Sequence, residues 1–297
     1  MYRTIPMLAL LMLLGACGPG TTNKPANSEP TPAPQPAAAL ITAKRVAEAG
    51  PALAPDSGAF DSAPAVTVNL LPQIVVVPMN QKTSVGEISA RAVHDGKWLT
   101  IRLDWADATL NDAPGIDKFE DMVALQLPRK PGSTPNIMMG DANNPVVVLQ
   151  WRAGRQAAID RGERPESRHA YPNMNKDIDI ADLVGSEKGS PYRGAMHVNN
   201  PVSLPDLDRS PVLAQVAAGY STLSGYTGRI AEGRGVHNGA RWLVTIHIPL
   251  GGDNEMVPGL APGAKSLLAF AVWDGEFSER GSRKSWSPNW TPIELAN

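Results

Sequence analysis

Residues 98–105 read Trp-Leu-Thr-Ile-Arg-Leu-Asp-Trp, so apolar and polar side chains alternate along the segment. This period of two is typical of a half-buried β-strand, with four apolar side chains on one face: Leu99, Ile101, Leu103 and Trp105. Asp95 and Gly96 form a strong hairpin signal between this segment and the preceding run, 85–93. The stretch therefore predicts an antiparallel hairpin as the starting unit of the fold.

Comparable runs recur along the chain and predict further strands at 122–127, 146–151, 242–248 and 267–273. Helical periodicity is weak, and one short helix is expected near 212–219. The 28 prolines and 27 glycines limit long helices and favour short strands joined by turns. We therefore expect an all-β protein, a β-sandwich with long loops and few short helices. The polar, highly charged segment 154–200 is expected to be a surface excursion.

The N-terminus resembles a bacterial lipoprotein signal. Arg3 precedes an apolar stretch, Ile5 to Leu14, which is too short to span a bilayer as a permanent helix. Two small residues then lead to Cys17, as in a lipobox, and this is the only cysteine in the sequence. A single cysteine excludes an intramolecular disulfide, a thiolate metal cluster and covalent c-type haem attachment. We expect a signal peptide at 1–16 and lipidation of Cys17, the alternative being an ordinary signal peptide with an incidental cysteine.

Residues 17–39 are rich in proline and alanine and have little to bury, which predicts an extended tether that starts at the lipidated cysteine. The remaining segment, 40–297, has the length of one large all-β domain. The formal net charge of −2, without a basic stripe, gives no indication of nucleic-acid binding. The expected organisation is a signal peptide, a tether and one folded domain held at a membrane by its lipid anchor.

Recognisable reaction motifs are absent from the sequence. It contains no Gly-x-Ser-x-Gly elbow, His-Glu-x-x-His pair or phosphate-binding loop, and its five histidines lack metal-ligand spacing. His247 lies mid-strand and is expected to be solvated or hydrogen-bonded. An acidic run raises the question of calcium, but its spacing does not match an EF-hand loop and a solvated turn is expected for Asp104, Asp107, Asp112, Asp117, Glu120 and Asp121. No catalytic residue is therefore assigned.

Several segments follow one another in the order found in a known family: 103–107, 119–128, 139–141, 148–153, 219–223, 239–250, 270–275 and 280–290. Together they resemble the haem-binding module of ethylbenzene-dehydrogenase-type gamma subunits. The resemblance implies a β-sandwich that holds one haem b, with the iron bound by the methionine before Gly-Asp and the lysine before Ser. In this chain those residues are Met139 and Lys284. Met138 is the fallback ligand, because a shift of one residue presents the neighbouring side chain.

The residues alone indicate other roles for these side chains. Methionine readily fills gaps in a core, and Lys284 follows two arginines in a polar turn, as a solvated surface lysine would. The resemblance implies instead that a soft thioether and a neutral amine are the two axial ligands. With both axial positions filled, the iron has no open position for a substrate. The resemblance therefore implies electron transfer rather than an enzyme with its own active site.

The resemblance also implies partners and a location. A gamma-type subunit would work with molybdenum- and iron–sulfur-containing oxidoreductase subunits, or exchange electrons with a periplasmic c-type cytochrome. A periplasm-facing lipoprotein agrees with the lipobox, and Gly18 stands where an aspartate would favour retention at the inner membrane, so the outer membrane is the default. The alternative is a haemless β-sandwich that presents Trp98, Trp105 and Trp151 to a carbohydrate or another ligand.

Overall fold

The computed structural model describes residues 39–162, 210–226, 230–251, 256–257 and 259–297. These residues belong to one compact unit, Ala38–Asn297, which is mainly β-strand. The described strands are β1 (Ile41–Arg45), β2 (Val66–Asn69), β3 (Leu71–Pro72), β4 (Glu87–His94), β5 (Trp98–Ala106), β6 (Met122–Pro128), β7 (Val146–Arg152), β8 (Val212–Ala217), β9 (Ser224–Gly225), β10 (Glu232–His237), β11 (Arg241–Pro249), β12 (Lys265–Trp273), β13 (Ser285–Trp286) and β14 (Thr291–Leu295). The helical elements are a 3₁₀ helix, Gly58–Ser62, and α1 (Ala153–Asp160). Within these ranges, no helix has the length and apolar character needed to cross a membrane.

The predicted hairpin is present as β4 and β5, which pair in antiparallel fashion. The Asp95 side chain closes its turn, because Oδ1 accepts hydrogen bonds from the backbone nitrogens of Lys97 at 2.8 Å and Trp98 at 2.7 Å. Gly96 has a φ of 89°, a conformation that glycine adopts readily. The other predicted strands are confirmed as β6, β7, β11 and β12, with ends that differ by one or two residues.

Hydrogen bonds join the strands in the order β10-β11-β5-β4-β1-β14-β12-β6-β7-β8-β9. β1 pairs in parallel with β4 on one side and with β14 on the other, and so links two groups of strands. We call the group of β10, β11, β5, β4 and β2 sheet I, and the group of β12, β13, β6, β7, β8 and β9 sheet II. The described pairs inside each sheet are antiparallel.

One apolar core lies between the two sheets. The four apolar side chains of β5 that were predicted to share a face are fully buried. They belong to the same cluster as Val123 and Leu125 of β6. Trp242 of β11 connects the two sheets, since its ring stacks on Trp105 at a centroid distance of 6.3 Å and meets Trp151 of β7 edge-on at 4.9 Å. The predicted β-sandwich is confirmed, and Trp105 and Trp151 are core residues rather than a surface for a ligand.

Two expectations about helices and loops are wrong. Residues 212–217 form β8 instead of a helix, because they pair with β7 along the whole strand and this pairing outweighs a weak local preference. The segment 154–200 does not begin as a loop, since its residues up to Asp160 belong to α1, where Ala158 is buried. The rest of that segment, from residue 163 onward, lies outside the described residues, as do the expected signal peptide and tether up to residue 38.

The expectation for His247 is resolved in favour of a hydrogen bond. This residue is 1% exposed, and its Nδ1 lies 2.7 Å from Oγ1 of Thr100 on the neighbouring strand β5. The solvated alternative is therefore wrong. Desolvation lowers the pKa of His247 to about 4, so the imidazole is neutral at physiological pH.

A solvated turn is the wrong description of part of the acidic run, because Asp107, Glu120 and Asp121 are buried. Two partners compensate the burial of the Glu120 carboxylate: the Arg152 guanidinium pairs with it, and the backbone nitrogen of Gly154 donates to it at 2.9 Å. Sequence spacing could not reveal this pairing, since Arg152 lies at the end of a different strand.

Candidate functional site

A cavity of about 500 Å³ lies on the face of sheet II that is turned away from the core. Strand β6 contributes the alternate residues Met122, Ala124 and Gln126 to it, whereas Val123 and Leu125 point into the core. The period of two thus assigns one face of the same strand to the core and the other to the cavity floor. The volume lies within the range of about 300–1,000 Å³ that is usual for ligand and cofactor sites.

The centre of the cavity floor is apolar and made of small side chains. Ala124 of β6, Val148 of β7 and Ala271 of β12 pack with Met122 and Trp273 in a hydrophobic cluster separate from the main core. Small side chains on adjacent strands leave a broad surface against which a flat ligand can lie. Four loop segments form the walls around this floor: 73–76, 137–139, 220–223 and 280–284.

The wall loop that carries Met139 has a tightly defined backbone. Met139 and Gly140 have φ angles of 68° and 74°, in the left-handed region that costs a residue with a side chain about 1–2 kcal/mol. A Cβ atom on Gly140 would lie 2.7 Å from the carbonyl oxygen of Asn144, so this position accommodates only glycine. The Asp141 carboxylate accepts hydrogen bonds from the backbone nitrogens of Asn144 at 3.0 Å and Asn143 at 2.9 Å, which lower the pKa of Asp141. The Met-Gly-Asp triplet therefore specifies this turn.

Further hydrogen bonds attach the same loop to its surroundings. The Gln126 side-chain amide donates to the carbonyl oxygen of Ile137 at 2.9 Å. The backbone nitrogen of Gly219 donates to the carbonyl oxygen of Met139 at 2.8 Å. Met138 and Met139 are both partly exposed, and both line the cavity. Their interpretation as core-filling side chains is wrong, and their position leaves both as potential ligands.

Lys284 lies on another wall of the same cavity, directly before β13. Its Nζ is 5.2 Å from the centroid of the Trp273 ring, and its carbonyl oxygen accepts a hydrogen bond from the backbone nitrogen of Gln73 at 3.1 Å. Desolvation lowers the pKa of Lys284 to about 8, because removal from water disfavours the charged ammonium. The side chain is partly exposed, but it faces the cavity. A solvated surface lysine is therefore the wrong description of this residue.

Gln73 is a structural residue of the site that the sequence did not reveal. It is 6% exposed, and its Nε2 donates to the carbonyl oxygens of Val76 at 2.8 Å and Ser282 at 3.0 Å. It thereby joins the wall loop 73–76 to the loop that precedes Lys284. A buried glutamine in a proline- and valine-rich loop has no sequence signal of its own, since both partners are backbone atoms.

Two arginines lie at the edge of the cavity. Arg152 donates from Nε to Glu120 at 2.7 Å and keeps a 33% exposed side chain, while the guanidinium of the exposed Arg280 lies 5.0 Å from the centroid of the Phe119 ring. Guanidinium groups recognise carboxylates well because of their planar fork geometry. The site as a whole suits a flat, largely apolar ligand with acidic substituents and an atom that can accept a thioether and an amine.

Most residues of this site lie in a region that matches a known protein family. The family model described as ethylbenzene dehydrogenase matches residues 57–285. The chain belongs to this family. The matched range contains all four wall loops together with Met139 and Lys284, so the resemblance stated from the sequence is confirmed.

This member of the ethylbenzene dehydrogenase family is similar in sequence to three proteins described as heme or gamma subunits. A protein of Haloferax mediterranei, described as a candidate heme subunit of respiratory nitrate reductase, is 26% identical over 95% of this chain and 78% of its own length. Chlorate reductase subunit gamma of Ideonella dechloratans is 24% identical over 83% of this chain and 81% of its own. Dimethylsulfide dehydrogenase subunit gamma of Rhodovulum sulfidophilum is 25% identical over 64% of this chain and 53% of its own.

Among solved structures, a carbohydrate-binding module of family 9 from Caldicellulosiruptor kristjanssonii, in complex with glucose, covers 87% of this chain and 96% of its own. The identity is 8% and the TM-score is 0.41. A similarity at this level supports no inference about ligands.

Proposed function

We propose that this chain is a haem b electron-transfer protein, acting as the gamma-type subunit or direct partner of a molybdenum-containing oxidoreductase. The observation that carries the proposal is that Met139 and Lys284, the residues of the family motif, line the same cavity from two different wall loops. Membership of the ethylbenzene dehydrogenase family supports the proposal, as do the heme and gamma subunits among the relatives.

The residues around the cavity fit a haem b. The small apolar side chains of the floor suit the face of a macrocycle, and Arg152 and Arg280 at the edge would pair with its two carboxylates. Met139 offers a soft thioether and Lys284 an amine, while Met138 is the alternative thioether. The buried rings of Trp105 and Trp151 weaken the competing proposal of a haemless carbohydrate-binding module.

The environment of Lys284 favours its role as a ligand because an amine must lose its proton before it can bind a metal. The pKa of Lys284 falls from an ordinary value of 10.5 to about 8. The free energy needed to deprotonate it at pH 7 therefore falls from about 5 to about 1 kcal/mol. Burial of Lys284 thus provides part of the energy that ligation would otherwise have to supply.

A haem b, when bound, supplies one-electron redox chemistry. Met139 and Lys284 would hold the iron through a thioether sulfur and an amine nitrogen, which would leave no position for a substrate. The chain would then orient the group, exclude water from it and transfer electrons to a partner without turning over a substrate itself.

A docking surface for that partner is expected beside the cavity. The wall loop 73–76 and the residues that follow it expose apolar side chains, with Ile74, Val75 and Val77 at 60%, 58% and 81%. Clusters of exposed apolar side chains commonly mark protein–protein contacts. Their position next to the cavity would bring a partner's redox centre close to the haem edge. A molybdenum- and iron–sulfur-containing subunit or a periplasmic c-type cytochrome is the expected partner.

The location is proposed from the N-terminal sequence. Lipidation of Cys17, followed by a proline-rich tether to about residue 39, would hold the domain at a membrane on its periplasmic side, with the outer membrane as the default. A tether of this length leaves the domain free to dock on a partner.

The visible absorption spectrum of the full chain tests the proposed function. We expect a low-spin spectrum with sharp bands on reduction, and complete extraction of the haem into acidified organic solvent because no cysteine attaches it covalently. Carbon monoxide should bind the reduced protein poorly, whereas a chemical oxidant should reoxidise it rapidly. Lys284→Ala should change this spectrum, because it removes a proposed iron ligand. Lys265→Ala is its matched control, since Lys265 lies exposed on β12 and its loss should leave the spectrum unchanged.

Two outcomes would contradict the proposal. A protein that binds no haem when it is produced with an adequate haem supply would favour the haemless ligand-binding alternative. Rapid carbon monoxide binding to the reduced wild-type protein would indicate an open coordination position and favour an enzyme.

A further inference from the structure

Three buried aspartates converge at one end of the sandwich, outside the cavity lining. Asp107 follows β5, Asp121 precedes β6 and Asp274 follows β12. Each places a carboxylate oxygen within 4.8 Å of those of the other two. The three residues are 5%, 0% and 5% exposed. Burial of three carboxylates in one place is unfavourable unless something neutralises them.

Hydrogen bonds satisfy only part of this aspartate cluster. Asp121 is well supplied, since Oδ1 accepts from the backbone nitrogen of Gly275 at 2.9 Å and Oδ2 accepts from that of Asn111 at 2.8 Å and from Trp242 Nε1 at 3.0 Å. Asp274 Oδ1 accepts from the backbone nitrogen of Glu276 at 3.0 Å. These donors are neutral and orient the carboxylates without cancelling their charges.

The environment of Asp107 gives the strongest indication that the cluster binds a ligand. Its Oδ1 accepts a hydrogen bond from the backbone nitrogen of Thr109 at 3.0 Å. Its Oδ2 is buried and has no hydrogen-bond partner in the part of the chain that the structure describes. In the same part of the chain, no lysine or arginine forms a salt bridge with any of the three aspartates. A buried carboxylate oxygen without a donor costs about 1–3 kcal/mol or more, so a missing positive partner is indicated.

The electrostatic environment agrees with a missing cation. Desolvation, with a contribution from the charge of Asp107, raises the pKa of Asp121 to about 7 and that of Asp274 to about 6. A divalent cation at the centre of the cluster would stabilise all three carboxylates in their charged form.

We propose that Asp107, Asp121 and Asp274 bind a calcium ion. All three side chains offer oxygen ligands, which hard cations prefer, and the cluster contains no histidine or cysteine. Ligand atoms that all lie within 4.8 Å of one another can surround a single ion with Ca–O distances of about 2.3–2.6 Å. Magnesium is a poorer fit, because it is usually held by only one or two carboxylates and keeps several waters. Backbone carbonyls and water would complete the coordination.

The calcium ion would tie the segment after β12 to two segments that lie far from it in sequence, the end of β5 and the start of β6. Asp121 directly precedes Met122 of the cavity floor, and Asp274 directly follows Trp273. Asp274 also begins the loop 274–284, where its backbone nitrogen donates to Oε2 of Glu279 at 3.0 Å and its carbonyl oxygen accepts from Glu279 N at 3.2 Å. The ion would thereby fix the base of this loop, and its effect on stability can be measured whether or not the cavity holds a ligand.

Metal content and thermal unfolding of the full chain test the site. Elemental analysis of the purified wild-type protein should find about one calcium per chain. After removal of divalent ions with a chelator, the midpoint of thermal unfolding should fall, and Ca²⁺ alone should restore it in a saturable manner. Mg²⁺ should require at least a tenfold higher concentration for the same shift.

Asp107→Asn removes one charge with little change in shape and should abolish both the calcium content and the response to Ca²⁺. Because it also relieves repulsion, its metal-free midpoint should equal or exceed that of the metal-free wild type. Asp117→Asn is the matched control, since Asp117 is exposed, belongs to the same acidic run and has a φ of 59° that asparagine tolerates. This variant should behave like the wild type.

Three results would overturn the proposal. The first is a wild-type midpoint that does not respond to chelation or to Ca²⁺. The second is an equal calcium response of wild type and Asp107→Asn, which would locate the binding elsewhere. The third is a response to Mg²⁺ at the same concentrations as to Ca²⁺. If Asp107→Asn fails to fold, Asp274→Asn and the wild-type measurements decide by the same criteria.

Discussion

Replacing Gly140 with alanine tests whether the Met-Gly-Asp turn holds Met139 in place. Gly140 has a φ of 74°, and a Cβ atom there would lie 2.7 Å from the carbonyl oxygen of Asn144. The left-handed backbone alone should cost an alanine about 1–2 kcal/mol of unfolding free energy. Displacement of the Asn144 carbonyl, like other overpacking, should cost about 1–3 kcal/mol more. The expected loss of stability is therefore the sum of two separable contributions.

Gly132→Ala separates these contributions. Gly132 lies in the same connection between β6 and β7, has a φ of 70°, and a Cβ atom built on it meets nothing within 4 Å. This variant should lose only the backbone contribution of about 1–2 kcal/mol. The difference in stability between the two variants then measures the contact with Asn144, and we expect it to be about 1–3 kcal/mol.

Equilibrium unfolding of the full chain in urea gives both free energies, and the visible spectrum of each variant reports on the iron ligands. We expect Gly140→Ala to bind less haem and to show a high-spin fraction, because a displaced turn no longer presents Met139 correctly. Gly132→Ala should keep the wild-type spectrum. Equal destabilisation of the two variants, with unchanged spectra, would refute the reasoning that this turn is tightly packed and positions Met139.

Three further predictions concern other parts of the chain. Met139→Ala and Lys284→Ala should each convert the iron from low-spin to high-spin in the visible spectrum, whereas Met138→Ala should leave it nearly unchanged; a sensitive Met138 would move the ligand by one residue. Cys17→Ser should transfer the protein from the membrane to the soluble fraction, and continued membrane attachment would contradict lipidation. Burial lowers the pKa of His247 from 6.5 to about 4. Between these two pH values the unfolded state binds more protons than the folded state, so the free energy of unfolding should fall as the pH falls from 6.5 to about 4. The loss should reach about 3 kcal/mol, and urea unfolding of His247→Gln should show a weaker pH dependence; an unchanged slope would assign it to other groups.

The strands were predictable because their signals are local. In β5 the alternation from Trp98 to Trp105 reports directly which side chains enter the core, and the Asp95 turn is closed by atoms within three residues. Residues 212–217 show the limit of such signals, since only the neighbouring β7 makes them a strand. Local patterns therefore give the elements, and pairing decides the ambiguous ones.

The site was predictable only in part. The family motif identified Met139 and Lys284, and the structure places them on one cavity, but their own sequence surroundings suggested a core residue and a solvated one. The low pKa of Lys284 results from desolvation in a cavity whose other walls come from segments far along the chain, which spacing cannot report. The aspartate cluster was missed for a related reason, because Asp274 lies outside the acidic run that contains Asp107 and Asp121.

The division of labour within sheet II explains how one fold can be both stable and open to a ligand. Val123 and Leu125 of β6 secure the sandwich, so the opposite face of the strand is free to form a cavity floor. The loop 274–284 has no such support from the core. Polar contacts hold this loop, such as those of Asn80 with Glu279 and of Gln73 with Ser282. A loop ordered by polar contacts gains most from bound ligands, because each one adds binding free energy only to the folded state. The proposed calcium ion at the base of this loop and the proposed haem beside Lys284 at its end would therefore stabilise the same segment, and loss of either should weaken the binding of the other.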